Sequence, residues 1–211
     1  MTINSNSDVR NKKYPDSQFT QLKETDLEQV WHWRNQPAIR QNMHNSKTIS
    51  WAEHQAWFEQ LPQSGKVFYI FHQNNRAIGT LYFDTAGPGK LEWGCYVGET
   101  DVWPGSGLLL EIAALDYAAA QPHISHLHAE VLSFNQSVLK MHQLFGYQTC
   151  PDKPAISLKA ASATASTSAA EPFCIKVFEY QTASWRAQRS SILARLPKQI
   201  SAAADYIHFQ D

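Results

Sequence analysis

Two hydrophobic rhythms divide this chain. Short runs rich in aromatic and β-branched residues, VFYIF at 67–71 and RAIGTLYF at 76–83, meet at Asn74-Asn75 and predict a β-hairpin. LEWGCYV at 91–97 follows the turn GPGK and extends the meander. HLHAEVL at 126–132 and FCIKVFEY at 173–180 predict two further strands, and 19–23 a short first one. Between them the apolar spacing is helical: Leu27, Val30 and Trp31; Trp51, Trp57, Phe58 and Leu61; Leu108, Leu109, Ile112, Leu115 and Ala119; SVLKMHQLF after Asn135; and SWRAQRSSILARL at 184–196. TDLE at 25–28 and SWAE at 50–53 read as capping boxes that open the first two helices. Gly146 is placed to cap the helix after Asn135 in the left-handed conformation, and the tail past Pro197 has room for a short helix. The order βα, α, β meander, α, β, α, β, α predicts a mixed α/β fold with antiparallel and parallel pairs in one sheet.

Length sets the domain count. The 211 residues suffice for one core with tails. Residues 1–16 are polar and expected to be loose, 17–211 form the single domain, and the low-complexity run KAASATASTSAAE at 159–171 reads as an insertion too poor in bulky side chains to fold alone. A net charge of −1, from 18 basic and 19 acidic residues, gives no basic surface for nucleic acid. Cys95, Cys150 and Cys174 are odd in number and far apart, which suggests neither a disulfide framework nor a metal site. The nine histidines include no HExxH spacing, so no metal is expected. The N-terminus lacks an apolar run, and no segment approaches a membrane span; the expectation is a cytoplasmic protein.

The stretch WPGSGLLLEIAALDYAAA, 103–120, carries the first chemical hint. A glycine-rich turn that opens a helix presents unpaired N–H groups and the positive end of the helix dipole, a suitable cradle for phosphate. Gly105 and Gly107 let the backbone approach closely. The spacing is neither GxGxxG nor GxxxxGK[ST], and taken alone the loop reads more readily as a plain tight turn.

After that helix and a strand comes NQSVLKMHQLFGY at 135–147. An Asn that opens a helix ending in Gly-aromatic resembles the last motif of the GNAT superfamily of acetyl-CoA-dependent N-acetyltransferases. In that family the coenzyme loop is Q/R-x-x-G-x-G/A, which aligns with VWPGSG at 102–107, with Val102 in the first position. The resemblance implies the GNAT fold, in which a central pair of strands, here 91–97 and 126–132, splays apart between flanking helices. It implies acetyl-CoA as cosubstrate and no metal. The pantetheine arm would pair with backbone near Cys95, Tyr96 and Val97, and the pyrophosphate would sit on Gly105, Ser106 and Gly107. Asn135 would bind the coenzyme, although a plain helix N-cap explains it too.

His142 stands where the family has a tyrosine that protonates the departing thiolate. An imidazole can supply that proton; Tyr147 or water are the alternatives. Glu130 lies mid-strand on the same face as His128, either as the amine's proton acceptor through water or as a structural partner of His128 or a lysine, with Glu92 as the competing base. Trp33, Arg34, Met43, His44, Tyr82 and Glu92 are the candidates for the acceptor side. Met and aromatic side chains suit a deoxysugar methyl group, worth about 0.8 kcal/mol when buried, and Arg34 suits a diphosphate. Core packing for Trp33 and a surface ion pair for Arg34 are the plain alternatives. The stretches WRNQPAIRQNM, ISWAEHQAWFEQL and EWG resemble the GNAT branch that acetylates the 4-amino group of UDP-linked 4-amino-4,6-dideoxy sugars in pseudaminic acid synthesis. The partner implied is a nucleotide sugar, with a homodimer left open. Two other readings stand beside it: a ribosomal-protein-type N-terminal acetyltransferase, whose groove should be acidic, and a non-catalytic acyl-CoA-binding module.

Overall fold

The computed structural model describes residues 13–154 and 174–210. Residues 1–12 and the insertion expected at 159–171 lie outside the described residues. Strand β1 (Ser17–Gln21) leads through a 3-10 turn into helix α1 (Leu27–Asn35) and the short α2 (Pro37–Arg40). The expected box at Thr25–Glu28 does not form. Asp26 instead accepts the Lys23 amide at 2.9 Å, which tightens the entry into a 3-10 turn one step earlier. Helix α3 (Trp51–Ser64) begins as expected: Ser50 accepts the Glu53 amide, and Glu53 accepts the Ser50 amide at 2.7 Å.

Strands β2 (Val67–Gln73), β3 (Arg76–Gly87) and β4 (Lys90–Val97) form the meander. Asn74 and Asn75 both take positive φ, 51° and 65°, as a two-residue hairpin turn requires. Helix α4 (Ser106–Ala120), β5 (His126–Leu132) and α5 (Gln136–Phe145) follow. The Asn135 side chain caps α5 and Gly146 ends it at φ 88°. The chain closes with β6 (Gln148–Pro154), β7 (Cys174–Gln181), α6 (Thr182–Leu193), α7 (Lys198–Ala203) and β8 (Ile207–Gln210). Strands β6 and β8 are absent from the sequence expectation. QTCPDKP is polar, exposed and proline-bearing, and IHFQ spans four residues, so neither carries a strand's alternation; both are edges of the sheet.

One eight-stranded sheet runs β6-β7-β5-β4-β3-β2-β1-β8. Its pairs are antiparallel except β4–β5 and β1–β8. Helices α4 and α6 cover one face, where the main core gathers Leu109, Ile112, Leu115, Leu127, Phe145 and Trp185. A smaller cluster of Val30, Trp33, Ile39, Phe68 and Ile70 fastens α1 and α2 to the other face. Among the described residues no helix is long and apolar enough to cross a membrane.

The β4–β5 pair is the shortest ladder among the pairs of the sheet. It holds for three residue pairs, Lys90↔His126, Leu91↔Leu127 and Glu92↔His128, and then stops. Beyond it β4 remains paired to β3 as far as Val97↔Gly79, and β5 to β7 as far as Leu132↔Ile175. The two strands therefore part at their C-terminal ends, where α4 and α5 begin.

The loop into α4 shows why its first glycine is there. Gly105 is the N-cap at φ 111°, and an added Cβ would overlap the Ile200 side chain of α7. Gly107 has no positive φ, and nothing lies within 4 Å of an added Cβ. Gly105→Ala is expected to cost about 1–3 kcal/mol, whereas Gly107→Ala is neutral or stabilising by up to about 1 kcal/mol, because alanine is the better helix former. Urea unfolding followed by tryptophan fluorescence checks both; equal midpoints for the two variants would contradict this assignment.

Candidate active site

A cleft of about 570 Å³ opens where β4 and β5 part. It passes through the sheet. From β4, Trp93, Cys95 and Val97 point toward the α4 face, and Glu92, Gly94 and Tyr96 toward the α1 face. From β5, Ala129 and Val131 turn to the first face and Glu130 to the second. Gly107 and Leu110 of α4 and Val138, Met141 and His142 of α5 close the cleft on one side. Arg34, Ile39, Met43, His44 and Tyr82 close it on the other.

The structure brings twelve of the predicted residues to this cleft: Arg34, Met43, His44, Tyr82, Glu92, Cys95, Tyr96, Val97, Gly107, Glu130, Asn135 and His142. Trp33, Val102, Gly105 and Ser106 do not line it. Trp33 is 2% exposed, lies flat on Gly98 and donates its indole N–H to Glu99 at 2.8 Å, so it is a core residue. Val102 packs against the main core. Gly105 is committed to Ile200. The Ser106 amide is bonded to Trp103 O at 3.0 Å and its hydroxyl lies 2.9 Å from Gln73 Oε1, so neither faces a ligand. Of the glycine loop, Gly107 alone lines the cleft, with open space where a side chain would stand. Asn135 accepts from Ser137 Oγ at 3.0 Å and from the Val138 amide at 3.5 Å; it is an N-cap that also faces the cleft.

The residues WRN at 33–35 act together. Trp33 binds Glu99, Arg34 donates to Asn45 O at 2.6 Å, and Asn35 exchanges two bonds with Ile49, at 2.8 and 2.9 Å. Arg40 adds a bond to Ser46 O at 2.9 Å. Segment 41–49 has no regular structure of its own and is pinned by these side chains, which places Met43 and His44 over the cleft. Burial lowers the Arg34 guanidinium from its ordinary value, and Arg40 adds to that. Tyr82 lies over Gly94, where an added Cβ would overlap its ring. Burial pushes the Tyr82 phenol up to about 12, helped by Glu92.

Glu130 is the hub of the charged groups on the α1 face. Lys153 donates to it, His128 Nε2 stands at 3.4 Å and His44 Nε2 at 3.8 Å. Glu92 joins them, with a side-chain nitrogen or oxygen of Glu92, His128 and Glu130 within 4.8 Å of one another; of the two carboxylates, Glu130 is the one the Lys153 ammonium pairs with. Burial alone would raise the Glu130 carboxyl, but the bonds from Lys153 and His128 and the charges of Lys153 and His44 prevail and hold it below its ordinary value. On the opposite face, Glu111 of α4 is fully buried with Oε2 at 3.3 Å from His142 Nδ1. Glu111 was not among the sequence candidates. Its signal is present in LLLEIAAL, a charged residue flanked on both sides by apolar ones within the helix.

These features define an acyltransferase class of site: two parted strands, helix N-termini at the mouth, and titratable groups on either side. The chain belongs to the GNAT acetyltransferase family, whose domain it matches over residues 18–148. Its activity is that of an N-acetyltransferase, and enzymes of this fold use acetyl-CoA. The chain is similar to the acetyltransferase PseH of Campylobacter jejuni subsp. jejuni serotype O:23/36, with 31% identity over 126 residues, 59% of this chain and 78% of that protein. Its fold is similar to the spermidine N-acetyltransferase from Vibrio cholerae solved with CoA and spermine, at TM-score 0.65 and 12% identity over 81% of this chain and 98% of that one. It is likewise similar to yncA from Salmonella typhimurium, solved with acetyl-CoA, at TM-score 0.60 and 15% identity over 79% and 94%.

The Glu130 network sets a pH dependence. Because the folded carboxyl is held below the ordinary value of 4.5, its stabilisation is fully present above that value and is lost as pH falls through the folded one. Glu130→Gln is expected to cost about 1–2 kcal/mol near neutral pH, and the gap to the parent closes toward acid. Urea titrations across that range check the sign; a gap that widens toward acid would be the opposite result.

Proposed function

We propose that this enzyme transfers the acetyl group of acetyl-CoA to the 4-amino group of a UDP-linked 4-amino-4,6-dideoxy sugar by direct attack in a ternary complex. The observation that carries the reading is the cleft's composition. On the α1 face an apolar and aromatic wall, Ile39, Met43 and Tyr82, adjoins the Arg34 guanidinium and two carboxylates. A deoxysugar with a methyl group, an amine and a diphosphate presents those complements in one molecule. The motif resemblance and the likeness to PseH support the same class.

The parted edges of β4 and β5 fit the extended pantetheine arm, whose amides would take backbone bonds that neither strand makes to the other beyond Glu92 and His128. Gly107 and the first turn of α5 at Asn135 receive the polar end near the cleft mouth. Lys153 holds Glu130 as an anion, which draws the acceptor amine to the cleft but makes Glu130 a poor proton acceptor. Glu92, which has no ion pair among the described residues, takes the amine's proton through water. As the carbon–sulfur bond breaks, the electron pair stays with sulfur and His142 protonates it.

A groove for basic peptides would need uncompensated acidity here. Lys153 pairs with Glu130 and leaves Glu92 as the carboxylate without an ion pair among the described residues lining the cleft, which is little acidity for a basic peptide and disfavours the N-terminal acetyltransferase reading. Thiol release from acetyl-CoA with a panel of amines separates the alternatives. Turnover with the UDP-4-amino sugar supports the proposal; turnover with peptide alone, or binding of acetyl-CoA without turnover, overturns it. His142→Phe should lower kcat by more than about tenfold, or about 1.4 kcal/mol; a smaller loss removes the histidine as the acid.

A further inference from the structure

Behind the α4 face of the cleft lies a polar group for which the acceptor chemistry has no use. Glu111 sits among Leu109, Leu110, Ile112 and Ala113, all buried, and its side chain is 0% exposed. An ionised carboxylate moved from water into such a place costs several kcal/mol unless it is paired, and an apolar residue of similar size would serve the core better. Among the described residues no lysine or arginine pairs with it. Its neighbours are the His142 ring, with Nδ1 3.3 Å from Oε2, and the Tyr147 hydroxyl, which also faces the Trp93 indole.

The other titratable neighbours on every packed element are poor proton donors or acceptors. Burial, then the Glu111 charge, drives the Tyr147 phenol well above its ordinary range. Burial pushes the Cys95 thiol of β4 up to about 12, again with Glu111 adding. Burial raises Tyr180 of β7, where Arg195 opposes and Glu111 adds. Among these neighbours His142 both places a ring nitrogen beside this carboxylate and lines the cleft. Trp93, Tyr147 and Phe178 pack around that ring at centroid distances of 6.0, 4.4 and 5.0 Å, so it has little room to flip.

We propose that Glu111 is a positioning residue for His142: its carboxylate accepts the Nδ1–H, fixes that tautomer, and leaves Nε2 to face the cleft as the atom that protonates the departing thiolate. The catalytic half of this statement rests on the function proposed above; the tautomer does not. The balance is complete. The amine releases one proton to solvent through Glu92, and Nε2 delivers one to sulfur and is recharged from solvent, while Nδ1–H stays on Glu111 throughout. The arrangement has the logic of a carboxylate that orients a catalytic imidazole without itself taking the proton.

Two measurements test it. Long-range nitrogen–proton correlation spectra of the intact protein, with His142 identified by its loss in His142→Phe, report the ring tautomer where the ring is neutral. Nδ1–H is expected, and Nε2–H overturns the proposal whatever the substrate is. In steady-state kinetics, Glu111→Gln should lower kcat about tenfold with the KM for acetyl-CoA within about twofold, and should have no further effect in the His142→Phe background. A fall smaller than about threefold, or the same fall in both backgrounds, overturns the positioning role. If no amine is turned over, the functional reading fails while the spectrum still decides the Glu111–His142 bond.

Discussion

Everything in this molecule turns on the early end of one ladder. Strands β4 and β5 share three residue pairs and then separate. Two parallel strands that stop pairing leave N–H and C=O groups on both edges, and such groups are costly to enclose without partners. The fold tolerates the opening because each strand stays fully bonded on its other side, β4 to β3 and β5 to β7. The sheet is thus two blocks of strands, antiparallel apart from the β1–β8 edge pair, joined by a short parallel seam. Helices α4 and α5 begin at the open end, and their first turns complete the mouth. In the proposed reaction, a ligand with amides along an extended arm would supply what the strands lack.

The seam also explains why the two kinds of chemistry lie on opposite faces. Side chains alternate along a strand, so a gap within the sheet is bordered by both sets. Glu92, Tyr96 and Glu130 look toward α1 and the pinned segment 41–49; Trp93 and Cys95 look toward α4 and His142. A closed ladder would have kept these groups apart. In the proposed reaction the amine and the thiolate therefore meet different walls, and each wall can be tuned separately by its own helices.

Much of this was legible in the sequence, and the reasons are local. Ser50 with Glu53, Asn74-Asn75, Asn135 and Gly146 each declare a cap or a turn through a bond to their own backbone neighbours, so the chain need not be folded to read them. The alternation of HLHAEVL placed His128 and Glu130 on one face before any coordinates. The failures are tertiary. Thr25 lost the helix entry to Asp26, which reached Lys23 first. Gly105 reads as a phosphate-binding glycine, but a side chain from α7, far along the chain, fills the space beside it. Trp33 reads as a pocket wall until Gly98 and Glu99 claim it. Strand β6 owes its existence to β7 rather than to any pattern of its own.

Glu111 is a failure of another kind, because its sequence signal was clear and was read as helix alone. Local pattern and burial conflict at that position: the helix wants an apolar residue, and the chain places a carboxylate there. Sequences that fold cooperatively keep such conflicts few, and those that persist tend to sit where chemistry requires them. Stability and function can be separated on that basis. Ser106 is also polar and buried, but Gln73 and Trp103 take its hydroxyl, and its cost is offset within the fold. Glu111 has no such settlement: neither of its oxygens has a hydrogen bond of good geometry, and His142 Nδ1, at 3.3 Å, belongs to an imidazole of a residue that lines the cleft. Its polar neighbours are the His142 ring and the Tyr147 hydroxyl, and of these two residues His142 lines the cleft, so the proposed service to that imidazole gives the buried carboxylate a reason that packing does not.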